Sequence, residues 1–326
     1  HAFNRMGLCY IQLENEEKAA DFFEKSIKIN PDYSEGLTNY GFALQKLKNY
    51  SLAAVQFEKV LTKNPISEEA FVNLIKVYFD DGRLQKSIEI ARQGLSLNPK
   101  SIPILKNLIS SLVLLNRLGE ASLACKEILS INNSDAETTN MMGTIYEKQG
   151  FYDQAKNQFL KALQLDKNLV QAKINIATLY QLEGNDEKAN EIYNDVAKEQ
   201  PENAEVIYRR SAVAFKQENF QEAWKYYEYR WKSFPLNKTV WPIRNQRVWK
   251  GEKGGRLVLW KEQGIGDQII LLSLVPEVKN MCATLSIYAD PRLQSLCKEG
   301  MPEINFISDE IALKEENFDY HLSLGS

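Results

Sequence analysis

A glycine-containing segment near the carboxyl end of the chain carries the residue types best suited to chemistry. Residues 262–269 read EQGIGDQI and follow RLVLWK, an apolar run typical of a buried strand. Gly264 and Gly266 would let the backbone approach an anionic or hydroxyl-rich ligand. The free N–H groups at the start of a following helix favour phosphate. Asp267 follows Gly266 directly, and helix capping by Asp267 at a tight turn is the structural alternative to a ligand site.

The scarcity of histidine and cysteine narrows this chemistry. The two histidines, His1 and His321, lie near the ends of the chain, which excludes a histidine triad, a histidine zinc site or a histidine base in its middle. Acid–base chemistry would therefore use carboxylates, Lys, Tyr or Cys. The four cysteines are Cys9, Cys125, Cys282 and Cys297, and no two of them form a CxxC pair. We predict no metal site, buried reduced thiols and a cytoplasmic setting.

A dinucleotide site is the obvious alternative for the glycine-containing turn. Gly264 and Gly266 supply the first half of a GxGxxG motif, and Asp290 ends the next predicted strand at a distance suited to a ribose. The third glycine is replaced by Ile269, whose side chain would obstruct close helix–strand packing around a pyrophosphate. The sequence therefore disfavours this alternative.

A second set of polar residues recurs at a fixed spacing of 34 in the first two thirds of the chain. These positions hold Arg5, Asn39, Asn73, Asn107, Met141, Asn175 and Arg209. An asparagine amide offers a donor and an acceptor. The four asparagines could pair with the backbone of an extended peptide, or each could bond to the neighbouring repeat.

The elements that position this set are internal repeats. Prolines 31, 65, 99, 201 and 235 differ by multiples of 34, and small residues follow the same period at Ala19, Ala53, Ser87, Ala121, Ala155, Ala189 and Ala223. Each unit predicts a helix, a turn with Gly or Asn near its centre (Gly82, Gly119, Gly150, Gly184) and a second helix that ends before proline. One unit is too small to bury its own apolar face, so neighbours must stack.

Seven such units over residues 1–235 resemble the tetratricopeptide (TPR) repeat, with Leu-Gly, Tyr, Ala, Phe and Pro at its offsets. Ile75 and Ile109 depart from the pattern where glycine is usual. The resemblance implies a right-handed superhelix whose first helices line a groove for a protein or peptide. Because the chain opens inside a repeat, with Phe3 at the aromatic position, we expect the array to extend upstream and its exposed ends to allow homo-oligomers.

The pattern changes after Pro235. Residues 236–252 are polar, contain Trp241 and Trp249, and predict a linker that also caps the last repeat. Residues 253–326 alternate short apolar runs with helical patterns, including one helical stretch over DQIILLSLVPEVKN. Strands are predicted at Arg256–Lys261, Ala283–Ala289, INFIS and Phe318–Leu324. This alternation predicts a partial Rossmann-like domain with a parallel sheet, and a mostly α chain overall.

Several segments of this tail, in order, resemble a bacterial family in which TPR arrays are fused to a GT-B glycosyltransferase domain. They are EAWKYYEYRW (Glu222–Trp231), Trp249–Gly251, Glu262–Ile269, Pro276 and FDYHLSLGS. The family is related to heptosyltransferases and, more loosely, to O-GlcNAc transferases. The resemblance implies that Asp267 deprotonates an acceptor hydroxyl, and that Glu262 and Lys261 bind acceptor or phosphate groups.

The same resemblance implies a second Rossmann-like half that holds the nucleotide-sugar donor. The sequence stops inside the first half, at Ser326. We therefore expect this chain alone to bind no cofactor and to be inactive, with the donor bound by the full-length protein. The competing prediction is a non-catalytic interaction scaffold with a structural α/β tail.

Composition narrows the classes of partner. The chain of 326 residues is 44% hydrophobic, with 40 basic and 43 acidic residues and a net charge of −3, which excludes wholesale disorder. The longest strongly apolar stretch, Ile269–Val275, is far shorter than the about 20 residues that span a bilayer. With no basic block, we predict neither nucleic acid nor a membrane span.

Overall fold

The computed structural model describes residues 1–233, 247–261, 264–307, 309, 312–313 and 317–324. Its contacts divide the chain into two compact units, His1–Gln217 and Glu218–Ser326. The division falls between the two helices of the seventh repeat, whereas the 34-residue register reaches residue 235. Pro235, Trp241 and Glu262, all singled out by the sequence, lie outside the described residues.

The first unit is a stack of helix pairs, as the repeat register predicts. Helices α1 to α13 span Ala2–Gln12, Glu16–Ile29, Ser34–Lys46, Tyr50–Lys63, Glu68–Asp80, Leu84–Leu97, Ile102–Leu114, Leu118–Ile131, Ala136–Lys148, Tyr152–Leu165, Val170–Leu182, Asp186–Glu199 and Ala204–Lys216. The predicted TPR-like superhelix followed by a partial α/β tail is confirmed. No helix within the described ranges is long and apolar enough to cross a bilayer.

The turn inside each repeat is closed by one residue with a positive φ. Gly82, Gly150 and Gly184 serve this purpose, as predicted, with φ of 69°, 81° and 77°. The prediction that Gly119 lies in the turn of the fourth repeat is wrong, because Gly119 lies inside α8. Asn116 takes the left-handed conformation there, with φ of 57°, a conformation that asparagine tolerates.

The core of each repeat depends on matched sizes where its two helices cross. A Cβ on Gly143 would stand 2.4 Å from the ring of Phe159, so this crossing needs a glycine. In the third repeat the equivalent pair is Ile75 and Ala91, both fully buried. In this repeat the larger side chain lies on the first helix and the smaller one on the second. This reversal explains why isoleucine stands where glycine is usual.

The second unit begins with two helices, α14 (Phe220–Tyr227) and α15 (Arg230–Ser233). In its described part the strands β1 to β5 are Arg247–Val248, Arg256–Trp260, Thr284–Tyr288, Asn305–Phe306 and Tyr320–Ser323, and the helices α16 to α18 are Ile265–Leu272, Val275–Lys279 and Pro291–Gly300. The strands form one sheet in the order β1-β5-β2-β3-β4, and every pair is parallel, as predicted.

Both faces of this sheet are covered. Leu257 and Leu259 of β2 pack with α16, α17 and α18 on one face, while Val258 and Trp260 pack with Trp231 on the other. The single helical stretch predicted over residues 267–280 is wrong in its continuity, because α16 ends at Leu272 and α17 begins at Val275, next to Pro276. Part of the predicted linker also forms β1, which pairs with β5.

Candidate functional site

The first helices of the repeats form a continuous row. Contacts join α1 to α3, α3 to α5, α5 to α7, α7 to α9 and α9 to α11. The four asparagines predicted to bind peptide lie on helices of this row, at Asn39, Asn73, Asn107 and Asn175. We call them the inner-face asparagines.

Two inner-face asparagines bind the preceding repeat. The Asn39 amide Nδ2 donates to Asn4 Oδ1 at 3.0 Å, and Asn175 Nδ2 donates to Asn140 Oδ1 at 2.9 Å. Asn4 in turn donates to Glu35 Oε1 at 3.0 Å, so the first junction carries a short chain of polar contacts. These amides therefore link consecutive first helices.

The other two inner-face asparagines make no such link. Asn107 Nδ2 donates to the Pro103 carbonyl of its own helix at 2.7 Å. The Asn73 side chain makes no hydrogen bond within residues 1–233. Both side chains are half-buried, so each keeps polar capacity at the surface of the row.

The glycine-containing turn joins the carboxyl end of β2 to α16. Gly264 is the N-cap of α16 with φ of −59°, and Asp267 is the third residue of the helix and exposed. The Asp267 carboxylate folds back toward the cap, with Oδ2 3.5 Å from where a Cβ on Gly264 would be. Lys261 donates its backbone N–H to the Tyr288 carbonyl at 2.7 Å, and its ammonium lies 4.7 Å from the Tyr288 ring centroid.

Gln268 is a residue of this site that the sequence did not indicate. It is 2% exposed, and its Oε1 accepts the Asp290 backbone N–H at 2.9 Å. The bond holds the turn after β2 beside the turn after β3, at the carboxyl edge where parallel sheets bind ligands. The only sequence signal is a polar residue next to the apolar run Ile269–Leu272.

Asp290, considered above for a ribose, has local partners. Its Oδ1 caps α18 by accepting the Arg292 backbone N–H at 3.0 Å, and the Arg292 guanidinium donates to the same carboxylate. Hydrogen bonds from Arg292, with a smaller contribution from the charge of Lys261, lower the pKa of Asp290 to about 2. The ionised Asp290 carboxylate is therefore already hydrogen-bonded to Arg292 of α18.

The two glycines of the turn differ from those of the repeats in what the fold requires. Gly264 has a negative φ. Gly266 lies in the first turn of α16 and does not have a positive φ either. A Cβ on Gly266 would meet no atom of the described residues within 4 Å. Within the part of the chain that the structure describes, neither backbone conformation nor packing accounts for glycine at these two positions, although glycine in the middle of a helix is destabilising by about 0.5–1 kcal/mol relative to alanine.

An apolar cavity of about 750 Å³ lies within the second unit. Its walls include Leu271 and Leu274 near the end of α16, Leu259 of β2, and the side chains of Trp224 and Trp249. Within the described residues, no group of three or more His, Cys, Asp or Glu side chains could hold a metal ion.

Comparisons with known proteins assign the repeats. Models of the tetratricopeptide repeat match residues 2–33, 22–54, 136–169 and 171–203. A solved tetratricopeptide repeat protein from Parabacteroides merdae has the same fold, with a TM-score of 0.62 and 16% identity over 73% of this chain and 94% of that one. The chain therefore contains tetratricopeptide repeats.

The curated relatives are distant and longer. BBSome complex member BBS4 of Mus musculus is 28% identical over 47% of this chain and 29% of that protein. Protein O-mannosyl-transferase TMTC3 of Homo sapiens is 25% identical over 50% of this chain and 20% of that protein. The chain thus spans less than a third of the length of either relative.

Proposed function

We propose that this chain is a peptide-binding TPR scaffold joined to the first half of a nucleotide-sugar-dependent glycosyltransferase domain. The scaffold part rests on the repeats and on the free polar capacity of Asn73 and Asn107. The observation that carries the enzymatic part is Gly266, a glycine at the carboxyl edge of a parallel sheet that neither its φ nor the packing of the described residues requires. Two distant relatives are named as protein O-mannosyl-transferases, which supports sugar transfer as the class of reaction.

In this proposal Asp267 acts as the base. Its exposed carboxylate would take the proton of an acceptor hydroxyl, and the acceptor oxygen would attack the anomeric carbon of the donor sugar. The bond from that carbon to the donor phosphate breaks, and a nucleoside diphosphate leaves. Gly264, Gly266 and Lys261 would shape the acceptor or phosphate pocket, together with Glu262. The donor would be held by a second Rossmann-like half of the full-length protein.

Sugar transfer by the full-length protein tests the proposal. UDP-, GDP- and ADP-linked sugars are offered with a peptide selected for binding to the repeats, and transfer and donor hydrolysis are followed. Asp267→Asn is expected to lower the rate at least 100-fold, since a positioned base contributes about 10²–10⁴-fold. Equal rates for the wild type and Asp267→Asn would remove Asp267 as the base. No turnover with any donor would favour the non-catalytic scaffold.

The non-catalytic alternative has one observation in its favour. The Asp267 carboxylate lies in the first turn of α16 and folds toward the N-cap Gly264, where a negative charge stabilises the helix N-terminus. On that account Asp267→Asn would destabilise the second unit slightly and change nothing else.

Gly266→Ala separates a ligand requirement from a structural one. Because alanine is the better helix former and its Cβ would meet no described atom within 4 Å, we expect the free energy of unfolding of the second unit to rise by about 0.5–1 kcal/mol, while sugar transfer is lost. Urea unfolding measures the first effect and the transfer assay the second. A lower stability would show that the fold needs this glycine. The matched control is Gly41→Ala, whose Cβ would stand 2.8 Å from the Phe57 ring and should destabilise the repeats.

A further inference from the structure

The junctions between repeats are of two kinds. In a closed junction the inner-face asparagine bonds to the preceding repeat, and in an open junction it does not. At two junctions the residue 35 positions upstream is also an asparagine, and its Oδ1 accepts the amide: Asn4 for Asn39 and Asn140 for Asn175. The residues 35 positions upstream of Asn73 and Asn107 are Thr38 and Val72, and no bond forms. The upstream residue therefore correlates with the state of each inner-face asparagine.

The closed junctions leave little for a ligand. Asn4 is 1% exposed and Asn175 is 9% exposed, so their amide pairs are largely removed from water. Asn175 Oδ1 also accepts from Gln171 Nε2 at 3.3 Å. A peptide that used these amides would first have to break a hydrogen bond between repeats that is buried at Asn175 and partly buried at Asn39, which cancels much of the gain.

The open junctions have the opposite character. Val72 offers no polar atom, and Asn107 turns its Nδ2 to Pro103, which leaves its Oδ1 without a hydrogen bond within residues 1–233. Neighbouring first helices lie about 8–10 Å apart, and an extended chain advances about 3.3–3.6 Å per residue. Asn73 and Asn107 would thus meet backbone groups about three residues apart on one peptide.

We propose that the residue 35 positions upstream determines whether an inner-face asparagine is available to bind a ligand, and that Asn73 and Asn107 alone among the four bind the peptide backbone. This inference rests on the proposed scaffold function and adds where, within the groove, the backbone of the peptide is recognised. Repeats three and four then form the reading segment, and the amide pairs on either side hold the helix spacing.

The test converts open junctions into closed ones. Peptides that bind the wild-type protein are selected from a displayed library of random 12-residue sequences, and their affinity is measured by fluorescence anisotropy. Val72→Asn and Thr38→Asn should each weaken binding about tenfold by capturing Asn107 and Asn73. Asn73→Ala and Asn107→Ala should have similar effects. Asn39→Ala and Asn175→Ala should change affinity less than twofold, although they lower the thermal unfolding temperature.

The design keeps the two proposals separable. Val72 packs partly against the core, so Val72→Thr serves as its control, and Thr38→Asn tests the same idea at a site already polar. An N-methylated backbone in the selected peptide, opposite the reading segment, should abolish binding. If no peptide is selected, the scaffold function fails and the inference with it. If peptides bind but respond only to Asn39→Ala and Asn175→Ala, the inference is overturned and the scaffold function stands.

Discussion

Replacing Phe159 with alanine is expected to lower the free energy of unfolding of the repeat array by about 3–5 kcal/mol, the cost of deleting a buried aromatic ring. Phe159 is fully buried in α10, and its ring lies where a Cβ on Gly143 would be. Alanine would leave a cavity that the glycine opposite has no side chain to fill. Because each repeat is stabilised by its neighbours, the loss should spread to the adjoining junctions.

Urea unfolding followed by circular dichroism measures this loss. Phe151→Ala is the matched control, since Phe151 is 52% exposed and its removal should change stability by less than about 0.5 kcal/mol. The double variant Gly143→Ile with Phe159→Ala recreates the Ile75 and Ala91 pair of the third repeat, and should recover much of the loss. A double variant no more stable than Phe159→Ala would disprove the matched-size account of the crossing.

This pair also shows how far the sequence predicts the fold. The 34-residue period reveals every helix of the array, because the same apolar and small residues recur at fixed positions. It does not reveal that Ile75 compensates for Ala91, since the two lie on different helices and only their contact relates their sizes. The edge strand Arg247–Val248 was missed for another reason: it is two exposed residues long and has no apolar run to mark it.

The candidate site was predictable in its residues and less so in their contacts. The register placed the inner-face asparagines on one row of helices. Whether Asn39 or Asn73 is free depends on a residue of the preceding repeat, which a pattern read at one position does not include. Gln268 was missed because nothing along the chain indicates that a carboxamide next to an apolar run turns inward to bond the Asp290 backbone.

Arg230→Met is expected to lower the free energy of unfolding of the second unit by about 2–3 kcal/mol, as expected for hydrogen bonds to a charged group. Arg230 is 2% exposed and belongs to the short helix α15. Its guanidinium donates to Glu228 Oε1 at 2.8 Å, to the Tyr227 carbonyl at 3.2 Å and to Ser323 Oγ of β5 at 3.3 Å. The side chain therefore ties α15 to the sheet.

The size of this loss depends on the groups that lose their partner when Arg230 is replaced by methionine. The Glu228 side chain is 48% exposed, so its charge is solvated once the arginine is gone, and the large cost of an unpaired buried carboxylate does not arise. Among the described contacts, Arg230→Met loses the hydrogen bonds to Ser323 and to the Tyr227 carbonyl, and the stacking of the guanidinium on the Tyr227 and Trp231 rings at 4.4 and 4.5 Å. Arg230→Lys keeps the charge but lacks the planar fork, and should lose nearly as much.

Thermal unfolding and hydrogen exchange of the β5 amides measure the effect, with exposed Lys232→Met on the same helix as the control. Lower stability together with faster exchange in β5 would confirm that the buried arginine anchors α15. Equal or higher stability of Arg230→Met would contradict it, because well-packed apolar residues can replace buried charges at no cost. The anchor of α15 would then be the contact between Trp231 and Trp260, whose ring centroids are 5.6 Å apart.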